Sequence, residues 1–564
     1  MSKRENIMVS IVLAITIWAA HYAQSANFGL YEDDYSRTPQ VLVMSWGDLA
    51  QQVFSSFQGL SEHGKQLHSP MIYTLTFLGV RLNGLQGVYW IGFAICVLNA
   101  WLFYRLLRRV GTPAFALVGG LAYSLFSADT TQALLTNALG LQPSLTFLLL
   151  AFHSYLSNRK LLAYVLAGMI LLNYEIPFPV FLAAPLLVGF LQKGGRRSGW
   201  KEWARHIAVL GAMVLLVVAL RRLAGESRVS ELDLETIVRI PLTQMVLGPW
   251  TSLRLFLLSR PKLALINLRT EVDWSVLGMF GLFCAVLWLA SSKKWSTRWW
   301  RADLQSPGLD IRQEAQRLST GLLLLATAYP LAFTVSASAT DGRDSRVHLA
   351  AVIGTAWLAA WGAEFVLKLA DAYGRRLAGV LRLTILGGLA VFFSLQVGFG
   401  KLIQQDYVNS WQYQRQFWTQ LLPLITDADD GDIILVEPSV LRATGQIGVI
   451  TWNTPRVLEL IIRFPPEWND LPRVYRLEAG WEQHLVSEED LFQVDNQTSF
   501  IPESMYVEVE SSKVIFIEAQ ENGLVRHTAP LLLNGVEYPV KARDPLAGEP
   551  FIPGSLYNLM ILNP

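Results

Sequence analysis

Long apolar stretches occupy about the first 400 residues of the chain, whereas the remainder alternates short apolar and polar runs. A helix needs about 20 predominantly apolar residues to cross the hydrocarbon core of a bilayer. Stretches of that kind predict about eleven membrane-spanning helices, several of them short. They lie near residues 7–24, 87–104, 113–127, 141–157, 161–173, 175–191, 206–220, 274–291, 318–335, 346–367 and 379–399.

Three further stretches are amphipathic rather than uniformly apolar. Pro39–Phe57 and His68–Leu82 lie in the first long loop, about residues 25–86, and Leu242–Leu258 lies in the connection 222–273. Amphipathic helices lie along a membrane surface rather than across it. We therefore predict surface helices here and no additional spans.

Basic residues fall in alternate loops between the predicted spans, beginning with Lys3 and Arg4. Cytoplasmic loops of membrane proteins carry an excess of Lys and Arg. The pattern predicts a multi-pass protein of the cytoplasmic membrane with a cytoplasmic N-terminus and an uncleaved first span. The extracytoplasmic face then holds the loop after the first span, the break at Glu175, the connection 222–273, the loop Asp341–Arg346 and everything after residue 400.

After about residue 400 the pattern becomes that of a soluble domain. Asp406–Leu422 predicts an amphipathic helix, and β-rich runs separated by Asp-Gly, Asn-Gly and Pro turns follow it. The chain is thus predicted to be a mainly α polytopic membrane protein, with a transmembrane domain over 1–400 and an extracytoplasmic α/β or mainly β domain over 401–564. The runs are 432–436, 447–451, 474–477, 505–509 and 513–517.

The composition supports a membrane protein and argues against an ordinary soluble domain or a nucleic-acid-binding protein. Hydrophobic residues make up 52% and charged residues 16% of the chain, and a mean hydropathy of +0.33 is too high for an ordinary soluble domain. The formal net charge is +1, and no basic run is interleaved with aromatics, so we expect no nucleic-acid partner. Cys96 and Cys284 lie within apolar stretches, and we expect neither a disulfide nor a metal site from them.

Three consecutive carboxylates, Glu32-Asp33-Asp34, follow the first predicted span directly. Neighbouring carboxylates repel one another and a membrane edge solvates them incompletely, so we expect raised, coupled pKa values. A raised pKa improves a carboxylate as a general base. In an extended segment Glu32 and Asp34 share one face and Asp33 has the other, which leaves both aspartates open as the base. The alternative is an acidic loop that merely ends the helix.

Cationic residues that are also predicted to lie on the extracytoplasmic face are candidates for binding a phosphate next to these carboxylates. Arginine suits a phosphate because its planar fork makes two hydrogen bonds and stays charged. An arginine at a membrane edge also extends to lipid headgroups without a catalytic role. The segments Lys65–Tyr73 and Asp341–His348 contain the candidates for a cationic clamp, meaning side chains that hold the phosphate. Arg346 is the first choice, followed by Arg343, His68 and Lys65.

Glu175 interrupts two apolar stretches at Asn173-Tyr174-Glu175-Ile176-Pro177. A carboxylate among apolar spans costs roughly a few kcal/mol unless it faces a cavity or a partner. We therefore expect Glu175 either to line an acceptor or lipid site or to pair with an arginine of an outer loop.

Together these motifs resemble the GT-C superfamily of membrane glycosyltransferases, which use polyprenyl-phosphate-linked sugars. Bacterial members similar to the aminoarabinose and protein mannosyltransferases have an acidic pair just after the first helix, matched here by Asp33-Asp34. They have a His- or Lys-Pro-Pro-Leu-Tyr-Tyr type segment before the second helix, which His68-Ser69-Pro70-Met71-Ile72-Tyr73 approximates. They often have an Arg-Tyr pair entering a late helix, where this chain has Arg346-Val347.

The resemblance covers the order of elements over residues 1–400, with departures at single positions. Asp34 stands where Glu is frequent, Ser69 where a Pro is usual and Val347 where an aromatic is usual. The last domain has no Trp-Trp-Asp-Tyr-Gly type motif, which argues against an oligosaccharyltransferase. The resemblance favours Asp33 as the base and adds Tyr73 to the substrate-binding candidates.

The resemblance implies an inverting hexosyl- or pentosyltransferase of cell-envelope glycan biosynthesis. The enzyme would move a sugar from a polyprenyl-phosphate donor to a hydroxyl of a glycan, lipid or protein acceptor, among membrane lipids. It implies no cofactor, although a divalent ion bridging Asp33 and Asp34 stays an alternative because hard cations favour carboxylate oxygens. The competing functions are an O-antigen polymerase or ligase with its chemistry in a late loop, and a lipid or polysaccharide transporter.

Overall fold

The structure, a computed structural model, describes most of the chain in two compact units. The first unit comprises Met1–Ala26 and Trp46–Gln404, and the second comprises Asn27–Ser45 and Gln405–Pro564. The described residues are 3–58, 65–191, 199–223, 234–270, 273–291, 310–333, 335–371, 375–436, 454–477, 491–493, 506–508, 513–520, 523–533, 536–542 and 551–562.

Six helices in the described part of the chain are long and apolar enough to span a membrane. They agree in position with six predicted spans, and the prediction of eleven is not confirmed. The remaining predicted spans fall on helices of about 10–18 residues, which are short of the roughly 20 needed to cross a bilayer. The six are Lys3–Asn27, His68–Val110, Asn137–Leu156, Trp200–Leu223, Ala351–Asp371 and Leu377–Leu424.

The regular secondary structure among the described residues of the first unit is helical. Its long apolar runs favour helices because a helix satisfies its own backbone hydrogen bonds in an apolar environment. The helix Arg375–Leu421 contributes residues to both units. The other α-helices of the first unit are Lys3–Ile17, Trp46–Gln58, His68–Val110, Pro113–Ser124, Gln142–Leu156, Lys160–Asn173, Ala184–Leu191, Trp200–Leu223, Leu234–Arg254, Arg260–Thr270, Trp274–Ser291, Ile311–Ala326 and Ala351–Asp371.

Irregular helical turns interrupt this unit where the sequence is polar or contains Gly or Pro. The helix His68–Val110 is broken at Asn83-Gly84, where Gly84 has a φ of +55°, a region that favours glycine. The predicted surface helix His68–Leu82 is the part before that break. The π turns are Trp18–Tyr22, Asn137–Leu141 and Leu255–Ser259, and the 3-10 turns are Ser25–Asn27, Phe178–Ala183 and Gly342–His348.

Buried charges of the first unit are paired with one another. The Lys368 ammonium lies 2.7 Å from Glu314 Oε1 and 3.2 Å from Glu364 Oε1. The Arg317 guanidinium lies 3.0 Å from Glu364 Oε2. Removing one member of such a pair costs about 3–5 kcal/mol, since the other charge stays buried alone. The network therefore ties the helix Ile311–Ala326 to the helix Ala351–Asp371.

In the second unit the tyrosines on either side of the acidic stretch Glu32-Asp33-Asp34 pack on the C-terminal part of the helix Arg375–Leu421. The Tyr31 hydroxyl donates a hydrogen bond to the Tyr407 carbonyl at 2.8 Å, and the Tyr35 hydroxyl donates to Gln414 Oε1 at 2.6 Å. Both tyrosines are almost completely buried. The predicted surface helix Pro39–Phe57 is divided, because Asp34–Val43 belongs to this unit and Trp46–Gln58 to the first.

The remainder of the second unit contains a small mixed sheet of four strands, in the spatial order β3 (Arg473–Arg476), β1 (Ile433–Val436), β6 (Val514–Gln520) and β7 (Gly523–Arg526). β1 pairs in parallel with β3 and β6, and β6 pairs antiparallel with β7. Four of the predicted strand runs coincide with β1, β3, β6 and a further strand, β5 (Tyr506–Glu508). The fifth predicted run, 447–451, lies outside the described residues.

The remaining elements of this unit are short. Its helices are Asp34–Val43, Thr454–Ile461 and Tyr557–Met560, with a 3-10 turn at Leu422–Leu424. The strands are β1 Ile433–Val436, β2 Ile462–Arg463, β3 Arg473–Arg476, β4 Leu491–Gln493, β5 Tyr506–Glu508, β6 Val514–Gln520, β7 Gly523–Arg526, β8 Leu531–Leu533, β9 Val536–Tyr538 and β10 Ile552–Pro553.

Gly354→Ala is expected to destabilise the protein, because a Cβ there would lie 2.4 Å from the Leu325 backbone nitrogen. Overpacking of this kind costs about 1–3 kcal/mol. Gly362→Ala in the same helix is the matched control, since no atom lies within 4 Å of its Cβ position; it should be neutral or slightly stabilising. Thermal unfolding in detergent measures both, and equal midpoints would contradict the close packing of the two helices.

Candidate functional site

The acidic stretch forms a tight turn and not the extended segment expected from the sequence. Glu32 has a φ of +48°, and the Asp34 amide donates to the Tyr31 carbonyl at 2.9 Å. The side chains therefore do not alternate between two faces. Asp34 is 1% exposed, and its Oδ2 accepts a hydrogen bond from the Tyr31 amide at 3.2 Å. Asp33 is partly exposed and is the more accessible of the two predicted bases.

A second group of charges surrounds Glu175 in the first unit. The Lys65 ammonium lies 3.6 Å and the Arg221 guanidinium 3.5 Å from Glu175 Oε2. Lys65 also lies over the Tyr174 ring, 4.8 Å from its centroid. The Leu67 amide donates to the Leu172 carbonyl at 3.0 Å, which fixes the Lys65 turn beside the break at Glu175. The expected pairing of Glu175 with an arginine is thus present, together with a lysine.

The charge on Glu175 is stabilised by these neighbours. Burial opposes ionisation of its carboxyl group, but the positive charges of Lys65 and Arg221 outweigh burial and lower its pKa below the usual value. Glu175 is therefore ionised at neutral pH. It holds two cations side by side at the end of the helix Lys160–Asn173.

Arg346 lies in the 3-10 turn Gly342–His348, before the helix that the sequence predicts to begin at residue 346 and that begins at Ala351. This turn is bonded to the loop after the helix Pro113–Ser124. Ser345 Oγ accepts a hydrogen bond from the Thr130 amide at 3.0 Å and lies 2.9 Å from the Thr130 hydroxyl. The contact brings Arg346 to the loop that contains Asp129.

Asp129 is the carboxylate of this group with the most unusual ionisation. Burial raises its pKa to about 6, against the opposing effects of two hydrogen bonds from Thr131 and of the positive charge of Arg346. The Thr131 amide and hydroxyl both donate to Asp129 Oδ1, at 2.9 and 2.6 Å. A carboxylate whose pKa is close to the working pH is well suited to accept a proton.

The Tyr174 side chain connects the two groups of charges. Burial raises the pKa of its hydroxyl, and the charges of Arg346, Glu175 and Asp129 all act on it. Five charged side chains from five separate segments therefore converge within one unit. They are Lys65, Asp129, Glu175, Arg221 and Arg346.

His68 and Tyr73, two other predicted residues, lie in the first turns of the helix His68–Val110. The His68 ring lies 2.5 Å from the position that a Cβ on Gly140 would occupy, so glycine leaves room for the imidazole. Asn173 donates to the Gly140 carbonyl at 2.7 Å. His68 thus packs close to the Glu175 break. Tyr73 is 5% exposed.

Arg343 lies on the same 3-10 turn as Arg346 and is partly exposed. Asp129 and Arg221 were not predicted. Asp129 follows Ser127-Ala128 and precedes Thr130-Thr131-Gln132, a polar break between two apolar stretches that is comparable to the break at Glu175. Arg221 belongs to Arg221-Arg222, which follows a predicted span, and no local pattern in the sequence indicates its pairing with Glu175.

A small cavity of about 20 Å³ adjoins Asp129 and is lined by Tyr123, Gln132, Gln142 and Cys96 among others. The buried Tyr123 hydroxyl has no hydrogen-bond partner among the described residues. A cavity of this size has room for about one water molecule. Nowhere in the described ranges do three His, Cys, Asp or Glu side chains form a group that could hold a metal ion.

The chain matches no family model, no curated protein and no solved structure. Its own side chains therefore carry the functional argument. Within the first unit those side chains combine three cations, an ionised glutamate and an aspartate of raised pKa. Such a set can bind an anion and accept a proton next to it.

Asp129→Asn is expected to stabilise the protein in a pH-dependent way. The pKa of Asp129 is about 6 in the folded state against 3.8 for the unbiased group, so its ionisation costs the folded state about 3 kcal/mol above pH 6. That cost falls to about 1 kcal/mol at pH 4.5 and disappears below the unfolded pKa. Asparagine removes it, so the gain should be larger at pH 7.5 than at pH 4.5.

Asp273→Asn serves as the control of opposite sign. Although partial burial opposes its ionisation, Lys401 and Ser275 lower the pKa of Asp273, so its charge stabilises the fold above its unfolded pKa. This variant should be less stable than the parent at neutral pH. A gain for Asp129→Asn that does not change with pH would contradict the assignment of a buried, ionised carboxylate.

Proposed function

We propose that this protein is an inverting glycosyltransferase of the cytoplasmic membrane. It transfers a hexosyl or pentosyl group from a polyprenyl-phosphate carrier to a hydroxyl of a glycan, lipid or protein acceptor, on the extracytoplasmic face. Six helices of membrane-spanning length support a substrate that is itself held in lipid. The alternation of basic loops supports the orientation.

The observation that carries this proposal is the convergence of Lys65, Arg221 and Arg346 around Tyr174 and Glu175. The group comprises three cations and the two carboxylates of Glu175 and Asp129. Arginine binds phosphate oxygens through paired hydrogen bonds, and lysine adds a point charge. A phosphate group bound beside Tyr174 would be stabilised by the positive charges of these side chains.

The reaction needs only a base and a cationic clamp. The acceptor hydroxyl attacks the anomeric carbon while the bond from that carbon to the phosphate oxygen breaks. The phosphate leaves with the bonding electron pair, and the hydroxyl proton passes to a carboxylate. The clamp stabilises the charge that develops on the leaving phosphate, a type of interaction worth about 10²–10³ in rate for a single donor.

Two aspartates compete for the role of the base. Asp129 lies in the same unit as the cations, and burial raises its pKa to about 6. Asp33 is the residue favoured by the GT-C resemblance, and it is partly exposed. Asp34, the other aspartate of the acidic stretch, is buried, and its carboxylate accepts a hydrogen bond from the Tyr31 amide.

Arg346→Ala is expected to lower sugar transfer by at least about 100-fold, since it removes a charge-assisted contact to the leaving phosphate. Arg346→Lys should retain part of the activity. The control is Arg109→Ala, because Arg109 is exposed and bonds to the His153 carbonyl and the Ser157 hydroxyl instead. Transfer is measured in nanodiscs with a panel of radiolabelled polyprenyl-phosphate sugars, after binding of polyprenyl phosphate has been checked.

Asp33→Asn and Asp129→Asn in the same assay separate the two bases. The variant of the true base should lose transfer while it still binds polyprenyl phosphate. If both carboxamide variants turn over normally and Arg346→Ala does not, the chemistry belongs to the late turn, as in a polymerase or ligase. If all variants transfer sugar normally, the proposed site is wrong.

A further inference from the structure

The buried imidazole of His348, the last residue of the turn that contains Arg346, contacts two buried hydroxyl groups. His348 Nδ1 lies 2.8 Å from the Tyr329 hydroxyl and 3.0 Å from Ser252 Oγ. The hydroxyls of Tyr329 and Ser252 also contact each other. All three residues are fully buried, and they come from segments 19 to 96 residues apart.

The pattern of donors and acceptors in this network is determined by its geometry. His348 Nε2 lies 2.8 Å from the Ala339 carbonyl oxygen, which only accepts, so Nε2 carries the proton and donates. Nδ1 is then an acceptor, to which Tyr329 donates while Ser252 donates to the Tyr329 oxygen; Ser252 also lies within reach of Nδ1 and can donate to it once the Tyr329 hydroxyl is removed. Burial lowers the pKa of His348 to about 4, and the imidazole is therefore neutral at physiological pH.

Two other contacts hold the same turn. The buried Arg260 guanidinium donates to the Thr340 carbonyl and to Asp341 Oδ1, the latter at 2.9 Å. Ser345 is bonded to Thr130 on the other side. Arg346 thus lies between fixed points, and the His348 network is the anchor on its C-terminal side.

The Tyr329 ring occupies the space that a side chain at Gly248 would fill. A Cβ on Gly248 would lie 2.5 Å from the Tyr329 ring, so the ring packs directly against the helix Leu234–Arg254. That packing directs the Tyr329 hydroxyl to Ser252, one turn farther along the helix. The helix therefore contributes both the surface for the ring and the second hydroxyl.

We propose that the His348–Tyr329–Ser252 network is a positioning device that holds Arg346 in the orientation needed to bind the phosphate of the polyprenyl donor. This inference rests on the proposed function, because it names Arg346 as a phosphate ligand. None of the three residues touches the substrate. Their contribution is to fix the backbone of the turn from which the guanidinium extends.

Either hydroxyl can donate to Nδ1 when the other is removed. The test therefore compares the two single variants with the double variant. Tyr329→Phe leaves Ser252 as a donor, and Ser252→Ala leaves Tyr329, so each single variant should bind polyprenyl phosphate within about 3-fold of the parent. The double variant leaves a buried acceptor without a donor, and its affinity should fall at least about 20-fold. Ser252→Thr combined with Tyr329→Phe keeps a hydroxyl and should restore most of the affinity.

The same double substitution is then made in an Arg346→Ala background. If the network acts through Arg346, removing it there should change the affinity for polyprenyl phosphate by less than about 3-fold. A network that merely stabilises the fold would lower the affinity equally in both backgrounds. That result would overturn the proposal, as would an unaltered affinity in the double variant.

Hydrogen–deuterium exchange provides a readout that needs no ligand. Peptides covering residues 339–349 should exchange at least about 10-fold faster in the Tyr329→Phe/Ser252→Ala variant, whereas peptides around Glu5 and Arg108 should not change. If the parent fails to bind polyprenyl phosphate, the proposed function is wrong, and faster exchange confined to 339–349 still supports an anchor for the turn. Unchanged exchange there excludes the positioning role in either case.

Discussion

A charge buried among apolar helices must be paired, and the first unit is built around that constraint. An isolated ion costs several kcal/mol in such an environment, so each buried charge selects the segments that can approach it. Glu5 accepts hydrogen bonds from Tyr104 and Arg108 at 2.9 and 2.8 Å, which ties the first helix to the helix His68–Val110. Around Glu175 the same requirement unites Lys65 and Arg221, which are far apart in sequence.

The two kinds of cluster differ in what they leave for a ligand. In the network of Glu314 and Lys368 the acidic and basic groups are balanced and strongly buried, so it serves the packing of two helices. Around Glu175 the charged groups are less buried than in that network, with Lys65 and Glu175 about a fifth exposed. Helix breaks explain the difference, because they expose backbone and polar side chains where the apolar runs end.

The sequence predicted most of the helical positions, because long apolar runs have few other stable conformations in an apolar environment. It also singles out Lys65, Glu175 and Arg346 as candidates, because their charges interrupt or flank such runs; their role in a site stays a prediction. It missed Asp129 and Arg221, since pairing across 46 or more residues depends on tertiary packing that no local pattern encodes. The extended conformation expected for Glu32–Asp34 was wrong for a related reason: burial of Tyr31 and Tyr35 on the helix Arg375–Leu421 favours a tight turn.

If Asp129 is the base of the proposed reaction, its coupling to Arg346 links donor binding to proton transfer. The positive charge of Arg346 lowers the pKa of Asp129 and partly offsets the effect of burial. A phosphate bound to Arg346 neutralises that charge, so the pKa of Asp129 rises and the carboxylate becomes the stronger base when the donor is present. As the phosphate leaves with a second negative charge, it further favours the protonated carboxyl group. One electrostatic interaction would then favour both binding order and the direction of proton transfer, provided that the turn keeps Arg346 in place.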